Sequence, residues 1–113
     1  MDAEIVSENR AEQIMKEINV QQEGIDIMLP KTRFRLVLLK GIDSGTANII
    51  KQEMLAAGGD AAVAVGTVSC KVPATDMLLM GTVKQYNKVL GKLSYNEINC
   101  PEAAGQIKGA LGL

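Results

Sequence analysis

Between residues 33 and 59 the apolar pattern changes period once, from every second residue to every third or fourth, and the change falls at Asp43-Ser44. Residues 33–40 alternate Phe34, Leu36 and Leu38 with Arg33 and Arg35, then become apolar on both sides at Val37 and Leu39, as in a strand buried within a sheet. Asp43 or Ser44 supplies an N-cap oxygen for a helix running to about Ala57, with Ala47, Ile50, Met54 and Ala57 on its buried stripe. Gly58-Gly59 stops that helix, because glycine turns through positive φ without a Cβ clash. A helix that feeds from a strand and halts so sharply returns its chain toward the sheet.

Residues 61–65 and 67–70 accordingly read as one strand interrupted or bulged at Gly66, and residues 77–80 as its hairpin partner across a turn near Pro73. Thr82 followed by Gln85 fits a capping box and opens a further helix, with Val83, Tyr86, Val89, Leu90 and Leu93 on a single face. Residues 95–99 are expected to form a last strand. Residues 102–111 predict a weak final helix, in which Gly105 and Gly109 each cost about 1 kcal/mol relative to alanine.

Upstream, residues 8–19 predict a helix capped by Ser7, with Ala11, Ile14, Met15 and Ile18 on its buried face and Glu12 paired to Lys16 on the wet side. Gly24 and Pro30 bracket residues 25–29 as an edge strand or extended loop. From Arg33 onward the order is strand, helix, strand, strand, helix, strand. The fold class expected is therefore α+β: a ferredoxin-like βαββαβ two-layer sandwich with additional N- and C-terminal helices, one domain over residues 1–113.

The 113 residues suffice for one core, and 12 basic against 13 acidic side chains leave a net charge of -1. No overall field steers nucleic acid or an anionic membrane toward such a chain. No apolar run approaches the roughly 20 residues that cross a bilayer, so the expected location is cytoplasmic. Cys70 and Cys100 lie outside any CxxC arrangement and the chain has no histidine, which excludes the usual zinc spacings; both thiols are expected as small buried hydrophobes. No metal or cofactor is implied.

Four groups of residues carry candidate chemistry. Glu53, Asp60 and Asp76 would divide acid and base roles if they converged, against a structural reading of helix boundary, turn and hairpin end. Arg33 and Arg35, with Lys31 beside them, would hold a small anion, and Lys84, Lys88 and Lys92 recur every four residues as either an anionic docking face or an ordinary solvated one. Nearly absent aromatics argue against base stacking. Gly41-Ile-Asp-Ser-Gly45 lies between a strand and a helix N-terminus where backbone N–H groups attract anions, although it matches no phosphate-loop motif.

Two blocks add a family. Ala47-Asn-Ile-Ile-Lys-Gln-Glu-Met-Leu-Ala-Ala-Gly-Gly-Asp-Ala-Ala62 and Thr75-Asp-Met-Leu-Leu-Met-Gly-Thr-Val-Lys-Gln-Tyr86, continued upstream by Gly24-Ile-Asp-Ile-Met-Leu-Pro-Lys31, resemble the N-terminal extension that precedes the catalytic barrel in some bacterial and archaeal dihydropteroate synthases. The similarity covers about residues 10–111. Dihydropteroate synthases join para-aminobenzoate to a pterin diphosphate on an eight-stranded α/β barrel, for which this chain is too short. It also lacks the family's Asn-Val-Thr-Pro-Asp-Ser-Phe signature, so no catalytic or pterin-binding residue is carried over.

What the resemblance implies is a non-catalytic accessory domain in folate or related pterin biosynthesis, partnered by a C-terminal pterin-binding barrel or by further copies of itself. Lys51, Gln52 and Glu53 form a polar run within the first block that fold alone does not require, and they are the expected interaction surface. The alternative is a stand-alone ferredoxin-like module for oligomerisation or small-ligand binding. A self-contained enzyme built on the carboxylate trio ranks third.

Overall fold

The computed structural model describes residues 1–95 and 99–113. Its scaffold is a three-stranded antiparallel sheet in the order β1-β3-β2, formed by β1 (Phe34–Asp43), β2 (Asp60–Val63) and β3 (Ala74–Thr82). Both outer strands run antiparallel to β3 and hence parallel to one another, and α3 (Ser44–Ala56) crosses between them. The second crossing helix, α4 (Val83–Leu93), leaves the end of β3 directly, and α5 (Cys100–Leu111) packs against α4 and β1. The chain is thus α+β.

Local chemistry at the helix starts explains why the strands end where they do. The Asp43 carboxylate accepts the Thr46 N–H at 3.0 Å, which closes β1 and opens α3 within one residue. The Thr82 hydroxyl accepts from Gln85 N while the Gln85 side chain accepts from Thr82 N, the reciprocal capping box expected there. Inward-facing Val37, Leu39, Ala61, Met77 and Leu79 form one core with Ile50 and Met54 of α3, Tyr86, Val89 and Leu93 of α4, and Ile107 of α5.

The glycine pair does two different jobs. Gly58 takes the left-handed turn at φ +95°, whereas Gly59 lets strands and helix close up: a Cβ there would stand 2.5 Å from the Met80 carbonyl oxygen.

Several expectations are corrected. Residues 25–29 are helical: α2 spans Gln22–Met28 and continues into a 3₁₀ turn at Leu29–Thr32. Ile25 is fully buried, Gln22 donates to Asp26 one turn on at 2.8 Å, and Pro30 sits at the start of the 3₁₀ turn, where its missing N–H costs nothing. The expected second half of the bulged strand, residues 67–70, forms turns. Ala64 N donates to the Thr75 hydroxyl, removing that amide from the ladder, and Gly66 at φ +90° starts a turn closed by Lys71 N to Gly66 O.

The N-terminal helix is shorter and more exposed than expected. Ser7 caps a 3₁₀ turn at Glu8–Arg10, and α1 spans only Ala11–Glu17. Ala11, Ile14 and Met15 are half-covered and Ile18 is exposed, because the main contacts of α1 are with the 3₁₀ turns at Glu8–Arg10 and Leu29–Thr32. The radius of gyration, 16.6 Å, accordingly exceeds the about 13 Å of a compact chain of this length. The strand expected at residues 95–99 rests on residues 96–98, outside the described residues; Tyr95 and Asn99, which flank them, lie in turns.

β1 itself departs from its two-sided reading. Val37 and Leu39 are buried, but Phe34, Leu36 and Leu38 face solvent, since the helices that carry the core cover only one side of the sheet. Cys100 is buried as expected, whereas Cys70 is exposed in a left-handed turn at φ +56°.

Candidate functional site

An open cleft of about 600 Å³ lies between the outer edge of β1 and α5. Its polar end is built by Asp43, Thr46 and Asn99, with Glu102 and Gln106 on the α5 wall. The Asp43 carboxylate accepts from Thr46 N at 3.0 Å, from the Thr46 hydroxyl at 2.7 Å and from the Asn99 amide at 3.1 Å. The Thr46 N–H, then its hydroxyl and the Asn99 amide, hold this carboxyl below the usual carboxylate range against a small opposing effect of burial. An ionised carboxylate so well supplied with donors is a helix cap and a weak base.

The acidic trio does not converge. Glu53 lies in the helical layer with the Lys92 ammonium 3.9 Å from its Oε2, an oxygen that is buried and accepts no hydrogen bond among the described residues. Asp60 pairs in register with Met80, and Asp76 stands four residues farther along β3, roughly 13 Å away. Asp76 accepts the Gly41 N–H at 2.9 Å. Each carboxylate therefore has its own structural partner, and among the described residues no three His, Cys, Asp or Glu side chains cluster to hold a metal ion.

The basic candidates divide in the same way. Arg35 is engaged by Glu8, with both carboxylate oxygens within 3.0 Å of Nη1, and its backbone oxygen accepts from Tyr86. Arg33 is exposed and makes no ion pair among the described residues. Lys84, Lys88 and Lys92 line the wet side of α4, as a solvated face does. The Gly41–Gly45 segment is not a free phosphate loop: Gly41 and Asp43 belong to β1, and Asp43 already occupies the helix N-terminus.

Within the polar run of the first block only Gln52 is fully exposed. Lys51 is half-buried, its ammonium donates to the Ala61 carbonyl oxygen, and Asp60 lies 3.8 Å from it. This lysine ties α3 to β2. Sequence reasoning missed the exposed apolar row on β1 and the Asp43–Asn99 contact, which spans 56 residues. The first was visible as the alternation of Phe34, Leu36 and Leu38; nothing in one sequence announces the second.

Compared with protein-family models, curated proteins and solved structures, the chain finds no match in any of the three. Among the described residues no helix is long and apolar enough to cross a membrane.

Proposed function

We propose that the chain is a non-catalytic N-terminal accessory domain of a dihydropteroate synthase-like protein, working in the cytoplasm by association and not by chemistry. One observation carries the reading. The two blocks that bear the resemblance, separated by residues 63–74, lie against one another: Asp60–Val63 pairs with β3 from Met80 to Met77, Gly59 abuts the Met80 carbonyl, and Lys51 fastens its helix to Ala61. A family fingerprint spent on one helix–sheet unit is what a shared scaffold requires, and a family active site would instead gather polar groups at one place.

The strand order β1-β3-β2 matches three of the four strands of a ferredoxin-like sandwich, and we take that as the finer description of the fold. The cleft beside β1 favours the second reading, a stand-alone module that takes a small ligand.

The coding sequence past Leu113 separates the two. A barrel bearing the Asn-Val-Thr-Pro-Asp-Ser-Phe signature supports the accessory role, and deleting residues 1–113 should then change the enzyme's assembly or KM while leaving a functional barrel. A stop codon at that point favours the stand-alone module. Pterin condensation by the purified 113-residue chain would overturn both.

A further inference from the structure

We propose that the solvent-facing side of the sheet is the interface of a homodimer, covered by the same face of a second copy of this chain. The inference uses only the sheet and stands without a following barrel.

On β1 every outward position from 34 to 38 is large and apolar, and all three are open: Phe34 is 55%, Leu36 62% and Leu38 57% exposed. The ladder sets Leu36 opposite Met80 and Leu38 opposite Leu78, itself 38% exposed, with Ala62 of β2 beside Leu78. The patch is therefore continuous across all three strands. A sheet with one wet face alternates apolar with polar residues, and this strand instead carries the pattern of one covered on both sides.

The charges sit at the perimeter. Asp60 lies on the outer strand β2, while Lys40 and Asp76 lie at the far end of the β1–β3 pair. An apolar centre inside a charged rim is the anatomy of a protein–protein interface.

Area and charge identify the occupant. Taking about 150–200 Å² for each large side chain when fully open, the four exposed residues present roughly 300–400 Å², already within the range of a functional surface patch. Met80, Ala62 and the rim raise this, so two copies face to face bury on the order of 1,000–1,200 Å², the lower bound of a specific interface. Two-fold symmetry makes the patch complementary to itself, and sheets pack in this manner about 10 Å apart. The named rim charges, Lys40 against Asp60 and Asp76, sum to only -1, too little to select a strongly charged partner, and a net charge of -1 per chain gives two copies little reason to repel.

Sedimentation equilibrium of the full 113-residue chain tests the proposal. The expected result is a reversible shift from 12.1 kDa toward twice that mass, with a dissociation constant on the order of 10 µM. Leu36→Lys, placed on a solvent-facing position that the fold does not bury, should weaken association at least ~10-fold with an unchanged circular dichroism spectrum. Wild-type methyl resonances give a readout free of folding effects: Leu36, Leu38 and Leu78 should shift with concentration while Leu39 and Leu79 do not. A chain that stays monomeric to about 1 mM overturns the proposal and leaves the face to another domain. A dimer whose affinity a folded Leu36→Lys variant retains, or whose concentration-dependent shifts fall elsewhere, overturns it too.

Discussion

The hydroxyl of Tyr86 donates to the carbonyl oxygen of Arg35 across 2.8 Å, tying the start of α4 to the start of β1 over 51 residues of sequence. Tyr86 is fully buried, and its ring belongs to the core shared by the sheet and the helices. One side chain thus serves both packing and the satisfaction of a strand carbonyl on the Glu8–Arg35 side of the sheet.

Tyr86→Phe keeps the ring and removes the donor. The expected loss is about 1 kcal/mol in urea unfolding, the net value of a hydrogen bond whose acceptor is left without its partner. Burial pushes the Tyr86 hydroxyl up to about 12 from its ordinary 10.0. A raised value means the folded state holds the proton more tightly, so this contribution is fully present below pH 10 and is lost as the pH rises toward 12, by up to about 1.4 kcal/mol per unit. The phenylalanine variant should lose that alkaline slope, which unfolding curves across this window will measure.

Asp43 gives the opposite sign. Its carboxyl is held low chiefly by the Thr46 N–H, so its stabilising effect is present above the unfolded value and fades as the pH falls below about 4. Asp43→Ala should cost about 1 kcal/mol at neutral pH through loss of the α3 cap, and should flatten the acid limb of the stability curve. Asp43→Asn, a good cap without the charge, should recover most of the neutral-pH loss and keep the flat acid limb.

These two sites also mark what one sequence can disclose. The caps at Asp43 and Thr82 are short-range chemistry, each completed within three residues, and α3 and α4 are correspondingly found where their spacing predicts. α2 was hidden because Gly24 and Pro30 read as breakers. Here the Val20 side chain lies 3.2 Å from where a Cβ at Gly24 would stand, and Pro30 opens a 3₁₀ turn. The two-sided apolar pattern of β1 gave the strand correctly and its cover only in part, since among the described residues no element buries Phe34, Leu36 or Leu38. Lys51 looked like a surface residue because its acceptor, the Ala61 carbonyl, lies beyond the double-glycine turn. Lysine-to-backbone contacts leave no periodic trace.

Gly59 provides a sharper test of the helix–sheet unit than Gly58 does. An alanine Cβ at Gly59 would lie 2.5 Å from the Met80 backbone oxygen and 3.0 Å from the Met54 methyl, so β3 or α3 must retreat. Gly59→Ala should destabilise by about 2–3 kcal/mol, the upper part of the overpacking range, because one of the crowded atoms is backbone. At Gly58 the cost is conformational, from φ +95°, with only the Gln85 amide nearby at 3.0 Å; Gly58→Asn, which tolerates the left-handed region, should cost less than Gly58→Ala. Thermal melts of the three variants rank these costs.

The final helix offers gains in place of losses. Gly105 and Gly109 lie inside α5, and a Cβ at either position meets nothing within 4 Å, so neither glycine is there to make room. Each spends backbone entropy that alanine would not, about 0.8–1.0 kcal/mol on the helix scale. Gly105→Ala and Gly109→Ala should each stabilise the chain by roughly that amount, and because they stand one turn apart on the same face the double variant also reads any coupling between them. Differential scanning calorimetry of the single and double variants will measure the gain. A gain far smaller than expected would mean that α5 frays independently of the core, which the full burial of Cys100 and Ile107 against the sheet and α4 argues against.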